Sequence, residues 1–417
     1  MKFSRRGFVG AALASGVVAA HADASGAAAS AKTSGLKSIT GAAQPITAQE
    51  HAARIAKLQG LMQRQKVAAM LLDAGSTLQY FTGVQWWRSE RTTAALILPT
   101  GKAVLVTPFF EAPSIAETLM IDADVRPWKE DESPFELLAG ALRDQGAGSI
   151  AVEDTTRFFI VDRVLKAAKN SRTVVPGEDL VRACREIKSS AELALMQVAN
   201  NVTIAALRHV HGKITAGMSA DDIMNLMISA TEALGGHHEF SSVLLNEASA
   251  FPHGSNKPQA VREGSVVLID TGCTVHGYQS DITRSWVFGK PSARQRKVWD
   301  TVKRGQELAL ETAKLGVPCS AIDKAVRAFY EQKGWQKNYG LPGLSHRTGH
   351  GIGLDGHESP YLVRNDATPL AVGMCFSDEP GIYIPGEFGI RLEDCWHLTE
   401  AGPKLFTPLA KSLDEPV

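Results

Sequence analysis

Between residues 265 and 395 four carboxylates stand at or beside apolar runs that a folded chain has to bury. Asp270 ends Val266-Val267-Leu268-Ile269 and precedes Thr271-Gly272. Asp281 follows eleven residues later, in Ser280-Asp281-Ile282-Thr283-Arg284. Glu379 sits in Ser377-Asp378-Glu379-Pro380-Gly381-Ile382-Tyr383, and Glu393 in Gly389-Ile390-Arg391-Leu392-Glu393-Asp394. An ionised carboxylate in an apolar interior is costly unless a cation or hydrogen bonds compensate it. A pair of metal ions would do so. Eleven residues are enough to turn through a hairpin, which would return Asp281 to the end of the strand carrying Asp270.

A second feature lies between them. Residues 346–357 read His-Arg-Thr-Gly-His-Gly-Ile-Gly-Leu-Asp-Gly-His, three histidines among four glycines. Glycine permits positive φ and close backbone approach, as a crowded site requires. The run is not a helical His-Glu-x-x-His zinc motif, because no histidine stands four residues after His357-Glu358. It is not a phosphate-binding loop either, because no Gly-Lys-Ser/Thr follows.

The rest of the chain supplies a frame. Residues 45–183 alternate helical and strand-like segments: a helix from Ala48 to Gln63, a strand Val67–Leu72, a hairpin of Thr93–Pro99 with Ala103–Thr107, and a strand Ser149–Val152. That alternation predicts a mixed sheet covered by helices. Arg185-Glu186-Ile187-Lys188-Ser189 marks a boundary. A long helix follows, with Leu195, Val198, Val202 and Ala205 on one face, then a helix capped by Ser219 with Asp222 at its third position. Strands are expected at 266–269 and from Gly277 to Phe288, a helix from Ala293 to about Leu315, and short strands beyond. No internal repeat is visible.

Composition excludes other classes. Lys+Arg and Asp+Glu both total 44 in 417 residues, so no basic excess points to nucleic acid or an anionic membrane surface. Five cysteines, an odd number without a C-x-x-C pair, argue against a disulfide framework and read as small apolar core residues. Ser4-Arg5-Arg6-Gly7-Phe8, an apolar stretch from Val9 to Ala20 and the small-x-small Ala20-His21-Ala22 together read as a twin-arginine signal peptide over 1–22. Residues 23–44, rich in Ala, Ser and Gly, read as a flexible linker. No later run reaches the ~20 apolar residues of a membrane span. The expectation is a periplasmic or secreted protein with no membrane segment in its mature form.

The order Ile-Asp-x-Gly, Ser-Asp-Ile-Thr-Arg, His-x-x-Gly-His-Gly-Ile-Gly, Glu-Pro-Gly-Ile-Tyr and Gly-Ile-Arg-Leu-Glu-Asp resembles the creatinase/aminopeptidase P/prolidase group of metallopeptidases, the "pita-bread" family M24, over residues 45–413. The resemblance implies a creatinase-like α/β N-terminal domain (45–183) and an α+β pita-bread catalytic domain (184–413), assembled as a homodimer. It implies two divalent ions held by Asp270, Asp281, His350, Glu379 and Glu393, with Asp281 and Glu393 bridging and Glu379 activating a metal-bridging hydroxide. His253 corresponds to a substrate-contacting histidine and His357 to one that supports the tetrahedral intermediate. Mostly carboxylate ligands with one histidine favour Mn²⁺, with Co²⁺ or Zn²⁺ as substitutes.

The implied substrate is a peptide with proline at the second position, cut by a prolidase or an aminopeptidase P. Arg364 is the candidate for holding a dipeptide carboxylate, Trp87 for approaching an active site across a dimer, and Arg391 for orienting Glu393. Many relatives carry a Ser-Gly-x-Asn turn before the upstream histidine. Here Leu245-Asn246-Glu247-Ala248-Ser249-Ala250 is one residue shorter, which bears on substrate choice. Alternatives are a dimethylsulfoniopropionate lyase on the same fold, a creatinase-like amidinohydrolase, which the intact metal set disfavours, and a binding protein that has lost catalysis.

Overall fold

The computed structural model describes residues 33–143, 148–255 and 257–417. The expected signal peptide and residues 23–32 of the expected linker lie outside the described residues.

The first part of the chain forms a six-stranded mixed sheet. Its strands are β1 (Val67–Asp73), β2 (Ala94–Ile97), β3 (Ala103–Pro108), β4 (Ala123–Trp128), β5 (Ser149–Val152) and β6 (Val174–Pro176), in the order β4-β3-β2-β1-β5-β6. The hairpin pairs Ala94 with Val106, and β1 runs parallel to β5. Every residue of β1 is buried, as expected of a strand covered by helices on both faces. Helix α1 (Ala48–Gln65) is capped at its start by the Thr47 side chain, which accepts from the Glu50 N–H.

Two helix pairs and their sheets make up the remainder. The first pair is Ser190–His211 and Ala220–Ala233, the second Ala293–Thr312 and Cys319–Gln332. Ser189 and Ser219 each form a reciprocal capping box, with Glu192 and Asp222. After the first pair come β7 (His237–Leu245), β8 (Val266–Val275), β9 (Tyr278–Gln279) and β10 (Ile282–Val287), in the antiparallel order β10-β8-β7 with β9 also on β8. After the second come β11 (Gly349–Gly351), β12 (Glu358–Leu362), β13 (Cys375–Asp378), the hairpin β14 (Gly381–Ile384) with β15 (Phe388–Arg391), β16 (Asp394–Thr399) and β17 (Gly402–Leu405), the sheet running in the order β12-β11-β13-β16-β17. Two apolar clusters hold these parts, one around Leu207, Met227 and Ile269 that runs on into the first domain through Leu58 and Phe81, the other around Val302, Val326 and Phe376. The halves meet where the Thr283 and Glu393 backbones exchange hydrogen bonds of 3.3 and 3.0 Å.

Three expectations change. The strand expected from Gly277 to Phe288 breaks at Ser280-Asp281, between Tyr278–Gln279 and β10. The helix from Ala293 stops at Thr312 rather than Leu315. Within the expected linker, residues 36–43 are docked: Leu36 and Ala43 pack on the core, the Ile39 N–H donates to the Leu234 carbonyl (2.9 Å) and Thr40 Oγ1 to that of Gly235 (3.2 Å). Apolar Leu36, set among the small residues, gives this segment a reason to adhere, while Ile39 stays exposed and contributes through its backbone. All five cysteines are free and buried. No helix among the described residues is long and apolar enough to cross a membrane.

Candidate metal centre and substrate cleft

The β8–β10 ladder pairs Thr283 with Asp270 and Ile282 with Thr271. Asp281, at the break just before β10, therefore returns beside Asp270, which stands in the middle of β8 rather than at the end of a 266–269 strand as expected, because the ladder with β7 and β10 carries the strand on to Val275. Glu393 lies at the seam between the halves, and β11 and the residue after β13 bring His350 and Glu379 from the second half. The result is two triads sharing Glu393, namely Asp270–Asp281–Glu393 and His350–Glu379–Glu393, each with ligand atoms within 4.8 Å of one another.

The glycines around His350 act through space rather than through positive φ. A Cβ on Gly349 would lie 2.2 Å from the Ser377 carbonyl oxygen, and one on Gly351 2.4 Å from that of Glu358. Only strands this closely packed bring His350 among the carboxylates. Its Nε2 lies 3.5 Å from Glu379, 3.7 Å from Asp281 and 3.9 Å from Glu393. Its Nδ1 faces the Gly351 carbonyl at 3.1 Å. A carbonyl only accepts, so we assign the ring proton to Nδ1. Burial, with His357 close by, drives the His350 pKa well below the ordinary value. The ring is therefore neutral, and a bare Nε2 lone pair faces three carboxylates.

That arrangement fits cations. Asp270 Oδ1, Asp281 Oδ1 and Glu393 Oε1 are buried without a hydrogen-bond partner among the described residues. Burial first, then mutual repulsion, raises the Asp281 and Glu393 pKa values well above the carboxylate range. Burial also pushes Glu379 up to about 7, against the opposing charge of Arg391. Orphaned carboxylate oxygens and an imidazole lone pair on one void form a donor set for hard divalent ions.

Hydrogen bonds behind the ligands set their directions. Thr283 Oγ1 donates to Glu393 Oε2 (2.7 Å) and accepts from Arg391 Nε–H (3.0 Å). Arg391, expected on Glu393, instead donates to Asp270 and stays 3.8 Å from Glu393. It also donates to the Tyr383 hydroxyl (3.1 Å), which contacts His346 Nε2 (2.8 Å). Thr283 and Tyr383 both stand inside the sequence motifs, but nothing in residue order shows which ligand each would touch.

The centre opens into a cleft of about 830 Å³, lined also by Phe240, Pro252, His253, His346, Arg347 and His357. His253 and His357, both singled out in the sequence, line this cleft together. The His357 ring lies 3.9 Å, centroid to centroid, from that of His350, close enough for a further triad with Asp281 and His350. Its Nδ1, however, accepts from Arg347 Nη2–H at 2.9 Å. Burial, then Arg347, lowers the His357 pKa, so the neutral ring carries its proton on Nε2, which suits a hydrogen-bond donor better than a metal ligand. The shortened turn before His253 is a 3₁₀ segment, Asn246–Ala250, in which Ser249 Oγ accepts from the Gly389 N–H (2.9 Å).

Two expected substrate contacts are absent from this cleft. Arg364 is exposed past the end of β12, bonded to Asn338 Oδ1 (2.8 Å) and lying over the Tyr339 ring. The chain turns away after Leu362, and the arginine goes with it. Trp87 is 68% exposed and stacks on Trp86, outside the cleft of its own chain.

Comparison with known proteins follows the same division. Residues 54–187 match the Creatinase/Prolidase N-terminal domain and residues 194–400 match Metallopeptidase family M24. An uncharacterized peptidase of Schizosaccharomyces pombe is 31% identical over 381 residues, 86% of this chain and 82% of that one. Among solved structures, the dipeptidase PepE of Mycobacterium ulcerans superposes with a TM-score of 0.80 at 29% identity, covering 88% of this chain and 97% of the other. The prolidase of Thermococcus sibiricus gives 0.79 at 27% identity, covering 86% and 97%. With its two matched domains in order and its fold shared with a dipeptidase and a prolidase, the chain belongs to metallopeptidase family M24.

Proposed function

We propose that this protein is a dinuclear metal-dependent Xaa-Pro peptidase of prolidase or aminopeptidase P type. The observation that carries the reading is the pair of triads sharing Glu393, in which three buried carboxylate oxygens have no hydrogen-bond partner among the described residues and the His350 Nε2 lone pair faces their carboxylates. Asp270, Asp281 and Glu393 would hold one ion and His350, Glu379 and Glu393 the other, with Mn²⁺ the ion this carboxylate-rich set suits best. Two such ions, when bound, activate water and polarise the scissile carbonyl. Glu379, beside the cleft and at the rim of the triad, takes the proton from the attacking water and passes it to the leaving nitrogen. His357, with Nε2–H free and Nδ1 held by Arg347, donates toward the developing oxyanion. His253 contacts the substrate from the opposite loop.

Proline selectivity is inferred from relatives such as the prolidase of Thermococcus sibiricus. We also infer export by the twin-arginine route, from the Ser4–Phe8 motif and the apolar stretch after it. Cell fractionation of the full chain against an Arg5→Lys/Arg6→Lys variant tests this; an unchanged distribution overturns it.

Purified protein should cleave Ala-Pro or a Xaa-Pro tripeptide in the presence of Mn²⁺, lose this with chelator, and leave dimethylsulfoniopropionate intact. Metal-dependent turnover of dimethylsulfoniopropionate alone would replace the peptidase reading with the lyase. Glu379→Gln should fold normally and lose at least ~10²-fold in kcat, the scale of a proton-transfer group. Retention of most of the rate would remove its assigned role.

A further inference from the structure

We propose that Glu239 makes the cleft selective for peptides whose first residue carries a long cationic side chain, a lysine or an arginine, a reading that rests on the peptidase function above. The backbone of β7 leads there. Successive side chains of a strand point to opposite faces, yet Glu239, Phe240 and Ser242 all line the cleft. Phe240 and Ser242 keep the alternation, paired with Gly272 and Asp270 of β8. Glu239 breaks it. His238 pairs with Cys273 and Phe240 with the very next residue of β8, so Glu239 is the extra residue of a bulge. A bulge of this kind re-aims a side chain, and it recurs beside active sites.

The re-aimed carboxylate stands ready for a cation. Glu239 is exposed at the rim and forms no ion pair among the described residues. Of the lining arginines, Arg391 is committed to Asp270 and Tyr383 in the wall behind the ligands, and Arg347 donates to His357. His238 contacts Ser241 Oγ (2.9 Å), and burial lowers its pKa, so it brings no counter-charge at neutral pH. Two divalent ions would balance Asp270, Asp281, Glu379 and Glu393, which leaves Glu239 as the uncompensated acid of the described lining.

The wall beneath it fits a particular shape. Along β7, moving away from Asp270, the cleft-facing side chains run Ser242, Phe240, Glu239. The Phe240 ring is seated over Gly272, where a Cβ would lie 2.6 Å from its Cε1. An apolar strip therefore ends in a carboxylate. Lysine and arginine have the complementary form, an apolar stem with a charged tip, and the tip is also attracted to an aromatic face. The α-ammonium of a substrate lies one carbon from the scissile carbonyl and stays beside the ions, so a carboxylate at the rim meets a side-chain tip instead. The cationic amino end of a peptide is favoured on this wall, which also carries Asp270 and Asp281, over the facing wall that presents Arg347. The second residue, a proline, has no charge to offer.

The test compares Lys-Pro with norleucyl-Pro, which keeps the stem and lacks the ammonium. Wild-type enzyme with Mn²⁺ should prefer Lys-Pro by roughly 5-fold in kcat/KM at low ionic strength, the scale of an exposed ion pair. The preference should lie in KM, because the tip is remote from the reacting bond, and should fall toward unity as salt rises past ~0.5 M. In Glu239→Gln the ratio should drop to within ~1.5-fold of unity, and in Glu239→Lys it should invert. Glu239 is exposed, so both variants keep the fold. Equal use of the two dipeptides by the wild type would overturn the proposal while leaving the peptidase intact, as would a lysine preference that survives in Glu239→Gln. Calorimetry gives a readout without turnover: L-lysinamide should bind the metal-loaded wild type more tightly than L-norleucinamide, and Glu239→Gln should erase the difference. If neither dipeptide is cleaved, the peptidase reading fails, and equal wild-type affinity for the two amides then overturns the selectivity separately.

Discussion

At the scale of single residues, the four carboxylates of the centre make stability a function of metal and pH together. Glu379 has its pKa pushed up to about 7, and those of Asp281 and Glu393 are raised well above the usual range, by burial and then by one another. Without metal the folded protein therefore holds protons that the unfolded chain has released. Stability falls with pH wherever the native state binds more protons. His350, His346 and His357 are shifted down, and they act oppositely at acid pH, but above about 6.5 they are neutral in both states. Between pH 6.5 and 8, chelator-treated protein should lose several degrees in Tm, while metal-loaded protein stays flat. A flat profile in both would show that the carboxylates do not carry this repulsion. Thr283 tests the wiring behind them. Thr283→Val removes the hydroxyl shared by Glu393 and Arg391, and should weaken metal binding ~10–100-fold in a chelator-competition titration. The convergence of the five candidate ligands was legible in the sequence because motif order and spacing mark them. The direction of Arg364 was not, because only the exit of the chain after Leu362 turns that side chain away from the cleft, toward Asn338.

At the scale of elements, strand packing sets the ligand geometry. β11 is three residues long, Gly-His-Gly, and both glycines meet neighbouring backbone at distances no Cβ tolerates. Gly349→Ala would drive a methyl to 2.2 Å from the Ser377 carbonyl, whose strand also leads into Glu379. It should cost about 3 kcal/mol by urea unfolding, at the upper end of overpacking penalties, and weaken metal binding because His350 moves with it. Gly356→Ala is the control: an added methyl meets nothing within 4 Å and φ is ordinary, so stability should change by less than ~0.5 kcal/mol. Similar losses in both variants would deny the close-approach role. The same scale shows what the sequence hid. The two halves repeat a long helix and a 14-residue helix before their sheets, 22 and 14 residues in one, 20 and 14 in the other. The long helices share a capping box, Ser189 with Glu192 and Ser292 with Gln295, but the 14-residue helices do not, one being capped by Ser219 and the other starting after Pro318 without a side-chain cap, so residue identity alone shows no repeat. The capping boxes at Ser189 and Ser219 were readable because they are local; the break at Ser280-Asp281 was not, because it is made by tertiary partners, including the hydrogen bonds of Ser280 to Thr203 and Cys273.

At the scale of the whole molecule, a clamp of charges is among the contacts by which the first domain reaches the cleft wall. Ser76 Oγ donates to Asp355 Oδ2 (2.7 Å), and Arg185 Nη2 donates to both Asp355 (2.9 Å) and Glu358 (2.6 Å). Arg185 Nη1 reaches Thr77 Oγ1 at 3.0 Å, and Lys188 pairs with Glu358 from the domain junction. Between the two clamped carboxylates lie Gly356 and His357, both on the cleft wall. The side chains of Arg185, Lys188 and Glu358 are at most 10% exposed, so each charge depends on the others. Glu358→Gln leaves two buried cations short of their counter-charge and should cost about 3–5 kcal/mol. Ser76→Ala removes two hydrogen bonds on the far side of the domain boundary, to Asp355 and from Arg185 Nη1 (3.3 Å), and should cost only about 1–2 kcal/mol. If the clamp is what holds the loop, that small change still raises hydrogen–deuterium exchange across residues 353–360, with exchange in β8 unchanged. Exchange at 353–360 identical to wild type would mean that the catalytic half positions His357 without help from the first domain.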